Sequence, residues 1–206
     1  MQSNGQPNRP PSLEALRAGD RAEFARLVEQ YGDPLYRLAL KLLGEPQDAE
    51  DVLQETFIKV FRHIGSFDGR SSLSTWMYRI ATNEALMLLR RRKGHFVSVE
   101  APDPAEGELQ EPLQIVDWCC IPEKELMTGE ALEYLDRAIE NLPPGLRVVF
   151  VLRDIQGLST REAADILDLS ETAVKTRLSR ARLRLREDLS GYFGERMAEG
   201  REPDGS

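Results

Sequence analysis

The segment Ser159-Thr160-Arg161-Glu162-Ala163-Ala164-Asp165-Ile166-Leu167-Asp168-Leu169-Ser170-Glu171-Thr172-Ala173-Val174-Lys175-Thr176-Arg177-Leu178-Ser179-Arg180-Ala181-Arg182 reads as two short helices across a tight turn. Ser159 and Glu162 have the spacing of a capping box, in which each side chain bonds the other residue's backbone N–H. A helix carrying Ala163, Ala164, Ile166 and Leu167 follows. Asp168-Leu169-Ser170 is the turn, and a second helix starts near Glu171. At about 100° per residue, Val174, Leu178, Ala181 and Leu185 fall together and form the buried side. Thr172, Lys175, Thr176, Ser179 and Arg180 fall largely opposite. That face is short and hydroxylated near its start and basic further on. Short side chains allow close approach to a major groove, and Lys or Arg reaches guanine edges and phosphates. The pattern predicts a helix-turn-helix, a motif shared by many regulators.

The basic character of this second helix belongs to a wider segregation of charge. Glu171 to Arg186 holds six bases (Lys175, Arg177, Arg180, Arg182, Arg184, Arg186) against one acid. Arg70 to Lys93 holds six more against Glu84 alone. Between the stripes, Glu100 to Glu125 holds eight acids against Lys124. The net charge of -8 over 206 residues therefore averages over opposed segments.

Upstream of the acidic stretch, Ser12 to about Lys93 has helical apolar spacing. Ser12 and Asp20 read as N-caps. Asp33-Pro34 reads as a further cap with proline at the first helical position, and Gly44-Glu45-Pro46 as a break. In the helix from Pro46 to Ile64, Leu53, Phe57, Val60, Phe61 and Ile64 are the expected core face. Glu50, Asp51, Gln54, Glu55 and Ile58 are expected off it, and an apolar residue beside acids points to a protein partner. In the helix from Ser74 to Lys93, Met77, Ile80, Ala81, Ala85 and Leu88 are the expected apolar face. Trp76, Arg79, Asn83 and Arg90 share a neighbouring face, where an aromatic can stack on an unpaired base while cations hold phosphates. The polar loop Ser66-Phe67-Asp68-Gly69-Arg70-Ser71-Ser72 precedes this helix, and its backbone donors and hydroxyls suit a phosphate or an extruded base.

Residues 94–122 contain Pro102, Pro104, Pro112 and Pro122 with no sustained period, so they read as a linker. Fully extended it would reach about 90–100 Å. Helical spacing returns from Glu123 to about Phe193, interrupted by Pro143-Pro144-Gly145. Val148-Val149-Phe150-Val151-Leu152 reads as a buried helix rather than a strand. The expected fold is all-α. It comprises a loose end (1–11), a helical domain (12–94), a flexible acidic linker (95–122), a helix-turn-helix domain (123–194) and a tail (195–206). Hydrophobic residues at 41% and charged residues at 30% suit a soluble globular chain. The first residues lack the apolar stretch of a secretory signal, and no run approaches a membrane span, so no direct membrane insertion is expected. Adjacent Cys119-Cys120 forms no disulfide framework, and two thiols suit a reducing cytoplasm. They supply too few ligands for a metal site, so no metal or cofactor is expected.

Three blocks together resemble the bacterial RNA polymerase sigma factors of the extracytoplasmic-function type. They are Asp48-Ala49-Glu50-Asp51-Val52-Leu53-Gln54-Glu55-Thr56-Phe57, then Phe67 through Asn83, then Leu142-Pro143 through Arg182. The resemblance covers roughly 12–94 and 123–190 and implies a non-catalytic initiation factor. It implies that Asp48, Glu50, Asp51, Gln54, Glu55 and Ile58 bind core RNA polymerase at the β′ clamp helices, with further contacts to the β subunit. It implies that Phe67, Asp68, Gly69, Arg70, Ser71, Ser72, Trp76, Arg79 and Asn83 open the minus-ten element of promoter DNA and capture a flipped base. Arg90, Arg91, Arg92 and Lys93 would hold phosphates. Thr172, Lys175, Thr176, Ser179 and Arg180 would read the minus-thirty-five element. Such factors are commonly held by an anti-sigma factor. A helix-turn-helix regulator that acts without polymerase would account for 123–190 but not for the acidic helix or the Trp76 block. A nucleic-acid enzyme such as a recombinase would need a nucleophile or a carboxylate–metal cluster. Glu50, Asp51 and Glu55 crowd one helix start with no His nearby and read better as a partner surface.

Overall fold

A computed structural model of the chain describes residues 10–93 and 129–199. The expected linker, Cys119 and Cys120 lie outside the described residues. The chain forms two compact units, Met1–Ala85 and Leu86–Ser206.

The first unit begins with α1 (Leu13–Arg17), α2 (Arg21–Leu43) and α3 (Pro46–His63), followed by a 3₁₀ turn (Ile64–Ser66) and α4 (Leu73–Lys93), within which the division between units falls. Local chemistry sets most of these boundaries. Ser12 caps α1 by accepting from Ala15 N at 3.3 Å. Asp20 caps α2 by accepting from Ala22 N at 2.8 Å and Glu23 N at 3.2 Å. Gly44 closes α2 in the left-handed region at φ 77°, where a glycine meets no Cβ penalty. Pro46 then opens α3 at a position whose N–H needs no helical partner.

The Asp33-Pro34 signal does not start a helix. Pro34 lies inside α2, which runs unbroken from Arg21 to Leu43. Proline costs a helix a hydrogen bond and a steric contact, about 3 kcal/mol. Leu27, Leu35, Leu38 and Leu42 stay in helical phase across it and are fully buried. Burying a leucine contributes about 1.5–3 kcal/mol, so the four together outweigh the break.

α2 packs along α3. The buried row of α3 is Ala49, Val52, Thr56, Val60 and then Ile64. Leu53 and Phe57 are half-buried, and Phe61 is 59% exposed. Small and β-branched residues at the seam let the helices approach closely, and this displaces the phenylalanines to the flank. There Phe24 of α2 meets Phe57 and Phe61 edge-to-face, with centroids 6.4 and 5.2 Å apart. Thr56 is accommodated because its hydroxyl donates to Val52 O at 2.7 Å. The buried stripe of α4 is likewise rotated from expectation. It holds Met77, Tyr78, Ala81, Ala85, Leu86 and Leu89, with Ile80 and Leu88 half-buried. The apolar ring of Tyr78 joins this stripe, and its burial raises the phenol's pKa.

The second unit contains α5 (Gly129–Asn141), α6 (Pro144–Phe150), a π-helical turn (Val151–Ile155), α7 (Thr160–Leu167) and α8 (Glu171–Glu199). Leu146 through Leu152 are all buried, as the apolar run predicts. Arg147 is buried with them. Its guanidinium donates to Glu140 O and, at 3.2 Å, to Leu142 O, satisfying carbonyls at the end of α5. Burial lowers its pKa. The π turn is closed by Gln156 N donating to Val151 O at 2.9 Å. The capping box forms: Glu162 N donates to Ser159 Oγ at 3.2 Å, and Ser159 N donates to Glu162 Oε2 at 2.8 Å. Asp168 ends α7 at φ 55°, a left-handed conformation that Asp tolerates better than most residues. Ala163, Ile166, Val174, Leu178, Ala181 and Leu185 form the buried side of α7 and α8. α8 continues to Glu199, beyond the expected end near Phe193. Among the described residues, no helix is long and apolar enough to cross a membrane.

Candidate nucleic-acid and protein interfaces

Three surfaces gather the residues that sequence reasoning singled out. The first is the outer side of α8. Ser170 caps this helix, accepting from Ala173 N at 3.1 Å. With Val174, Leu178, Ala181 and Leu185 turned inward, Thr172, Lys175 and Ser179 are exposed, and Thr176 and Arg180 are half-buried. The face therefore has the composition a groove-reading helix requires. The basic stripe around it is not uniform. Arg182 forms a two-pronged pair with Asp154 of the π turn, Nε to Oδ2 at 2.8 Å and an Nη to Oδ1 at 2.7 Å. That partnership raises the Arg182 pKa further. One Arg177 Nη atom is buried. Counting charges along the sequence could not separate these two from the outward-facing bases, because their surroundings come from tertiary packing.

The second surface is the loop between the 3₁₀ turn and α4, together with α4 itself. Trp76 is half-buried, and Arg79, Asn83, Arg90, Arg91 and Arg92 are exposed. Lys93 ends the helix. Phe67 is 7% exposed, and its ring lies against Trp76 with centroids 5.1 Å apart and planes tilted by 37°. Phe67 thus supports the indole from below rather than facing solvent. Asp68, Gly69 and Arg70 are exposed, with Gly69 at φ 76°. Asp68 accepts from Arg70 N at 3.1 Å and from Arg70 Nε, and these bonds hold its carboxyl below the usual carboxylate range. Ser71 is half-buried. Ser72 caps α4: its hydroxyl accepts from Thr75 N at 3.0 Å and lies 2.8 Å from Ser74 Oγ and 2.7 Å from Thr75 Oγ1. The carbonyl of Phe67 also accepts from an Nη of Arg17, a residue that sequence reasoning missed. The two lie 50 positions apart, so no local signal announces the contact.

The third surface is on α3. Glu50, Asp51, Gln54 and Glu55 are exposed, Asp48 is half-buried, and Ile58 is 39% exposed beside them. One turn further, Lys59 reaches Glu84 of α4 at 2.5 Å. The single acid within the α4 basic stripe is therefore neutralised by a base from the neighbouring helix.

Among the described residues, no cluster of three or more His, Cys, Asp or Glu side chains could hold a metal ion. The exposed groups offer hydrogen bonds, charge and stacking. That chemistry recognises nucleic acid and protein and does not by itself break a covalent bond.

Comparison with known proteins gives two family matches on the chain. Residues 27–95 match Sigma-70 region 2, and residues 132–185 match Sigma-70 region 4. The chain is 36% identical over 177 residues to the ECF RNA polymerase sigma factor SigW of Bacillus subtilis, covering 86% of this chain and 94% of the relative. Among solved structures it resembles CnrH in complex with the cytosolic domain of CnrY, with a TM-score of 0.63 and 26% identity over 87% of this chain and 95% of that one. It also resembles the sigma factor RpoE in complex with the anti-sigma factor NepR from Bartonella quintana. There the TM-score is 0.60 and the identity 26%, over 82% of this chain and 97% of that one.

Proposed function

The chain belongs to the extracytoplasmic-function sigma factors of the sigma-70 family, non-catalytic specificity subunits that direct RNA polymerase to promoters, and from that premise we propose how its surfaces divide the work. Residues 12–94 act as the region 2 domain, 95–122 as a linker, and 123–194 as the region 4 domain. Asp48, Glu50, Asp51, Gln54, Glu55 and Ile58 bind the β′ clamp helices of the core enzyme. The loop Phe67–Ser72, with Trp76, Arg79 and Asn83, opens the minus-ten element and holds an extruded base. Arg90, Arg91, Arg92 and Lys93 hold the adjoining phosphates. Thr172, Lys175, Thr176, Ser179 and Arg180 read the minus-thirty-five element in the major groove. The factor works in the cytoplasm and is held inactive by an anti-sigma factor; the similar RpoE of Bartonella quintana is found in complex with the anti-sigma factor NepR.

The observation that carries this reading is the pairing of a region 2 and a region 4 match on one chain, each covering its own exposed basic face. The energetics are compatible. Extruding a base costs a few kcal/mol, and stacking on an aromatic returns about 1–3 kcal/mol per base. A half-buried Trp76 already packed against Phe67 loses little freedom when a base adds to it. Run-off transcription with core polymerase is the test. Addition of this chain starts transcription at defined sites. Failure at every promoter of an ECF-type library overturns the reading.

A further inference from the structure

We propose that Arg17 is a positioning residue for minus-ten recognition, acting through the backbone of Phe67 on the loop that receives the extruded base; this rests on the function proposed above. The loop from Phe67 to Ser72 has no regular structure of its own; Asp68 and Arg70 bond to each other inside it, and its two ends are held from either side. The downstream end is fixed by Ser72, which caps α4. The upstream end is fixed three times over. Phe67 N donates to Ile64 O at 3.3 Å, the Phe67 ring is buried on Trp76, and the Phe67 carbonyl accepts from Arg17. The first two contacts are local in sequence. The third comes from α1, which is anchored by the buried Leu16 and packs on the 3₁₀ turn just ahead of the loop.

The chemistry suits a positioning role. A guanidinium is planar and permanently charged, so its bond to a carbonyl is directional and insensitive to pH. It fixes the peptide plane between Phe67 and Asp68, and that plane sets where Asp68 and Gly69 project. Without it, the peptide can rotate and the loop samples more shapes before a base arrives. A pocket that must order itself during capture loses both rate and selectivity. Arg17 itself need not touch DNA for this to hold.

The test uses holoenzyme assembled from core polymerase and the full chain, with fork-junction DNAs differing only in the extruded minus-ten base. Arg17→Met keeps the aliphatic stem and removes the donor. Arg17→Lys keeps a cationic donor. Asp68→Ala perturbs the loop directly. Arg17→Met is expected to reduce discrimination between the best and worst base by about three- to ten-fold, the size of one part-exposed hydrogen bond. Its core affinity and thermal midpoint stay at parental values, and Arg17→Lys recovers at least half the discrimination. Unchanged discrimination in Arg17→Met, with a loss in Asp68→Ala, overturns the positioning role and leaves the loop's assignment standing. Unchanged discrimination in both overturns the loop's assignment and the proposal with it. If Arg17→Met lowers the thermal midpoint and core affinity together, and Arg17→Lys does not restore selectivity, Arg17 is a stability residue and the proposal fails.

Discussion

Arg180 and Arg182 are two positions apart on α8 and carry the same side chain, yet their surroundings separate them. Arg182 is committed to Asp154, whereas Arg180 lies half-buried on the side of the helix opposite its core residues. Arg180→Ala should therefore weaken binding of holoenzyme to upstream promoter DNA by about 1–3 kcal/mol, the range for a base-contacting arginine. Competition binding with promoter duplexes substituted in the minus-thirty-five element measures it. A uniform loss across all sequences would mark Arg180 as a phosphate contact instead.

At the scale of elements, the caps were legible in the sequence. Ser12, Asp20, Gly44 and the Ser159–Glu162 box each act within four positions of themselves, so their chemistry needs no knowledge of the fold. Contacts over longer separations were not legible. Pro34 signalled a helix start, but leucines on both sides of it bury in one phase. Phe61 looked like core, but a tight seam of Ala49, Val52 and Val60 leaves it outside. The exposed faces of α3, α4 and α8 were largely readable because helical phase alone separates them from the core. Arg17 and the Arg182–Asp154 pair were not, being set by partners 50 and 28 positions away.

The capping box makes a prediction with a definite sign. Hydrogen bonds from Ser159 hold the Glu162 carboxyl below its ordinary pKa of 4.5. A carboxylate whose pKa falls on folding contributes stability above the unfolded value and loses it as pH falls through the folded one. Ser159→Ala should cost about 1 kcal/mol at neutral pH. The stability gap between the parent and Glu162→Gln should shrink below pH 4.5. Urea unfolding at pH 7 and pH 3 checks both, and a gap that widens in acid would contradict the assignment.

The acidic row of α3 gives a second prediction at this scale. Asp51→Lys combined with Glu55→Lys reverses the charge of an exposed face without touching the core. Core-polymerase affinity should fall at least ten-fold while the far-ultraviolet circular dichroism and thermal midpoint are retained. Parental affinity would remove α3 from the interface.

For the whole molecule, the charge of -8 opposes DNA binding. The described basic faces are local: of the six bases from Lys175 to Arg186, Arg182 is engaged by Asp154, and Arg177, Arg180 and Arg184 are half-buried. The isolated chain should therefore bind promoter duplex weakly at physiological salt, with sequence preference emerging only once polymerase is present. Fluorescence anisotropy with and without core enzyme tests this. Tight, specific binding by the chain alone would show that polymerase is not needed to supply affinity.

The two sides of α8 share no position: Val174, Leu178, Ala181 and Leu185 hold the fold, while Thr172, Lys175 and Ser179 face outward. Substitutions on the outer side leave packing untouched, so if this face reads promoter DNA as proposed, promoter preference can drift among descendants of this chain with little penalty in folding. Insertion or deletion of a single residue between Val174 and Leu185 is another matter. It would turn everything beyond it by about 100° and exchange reading surface for core. The helix thus permits its specificity to evolve by replacement and forbids it to evolve by change of length.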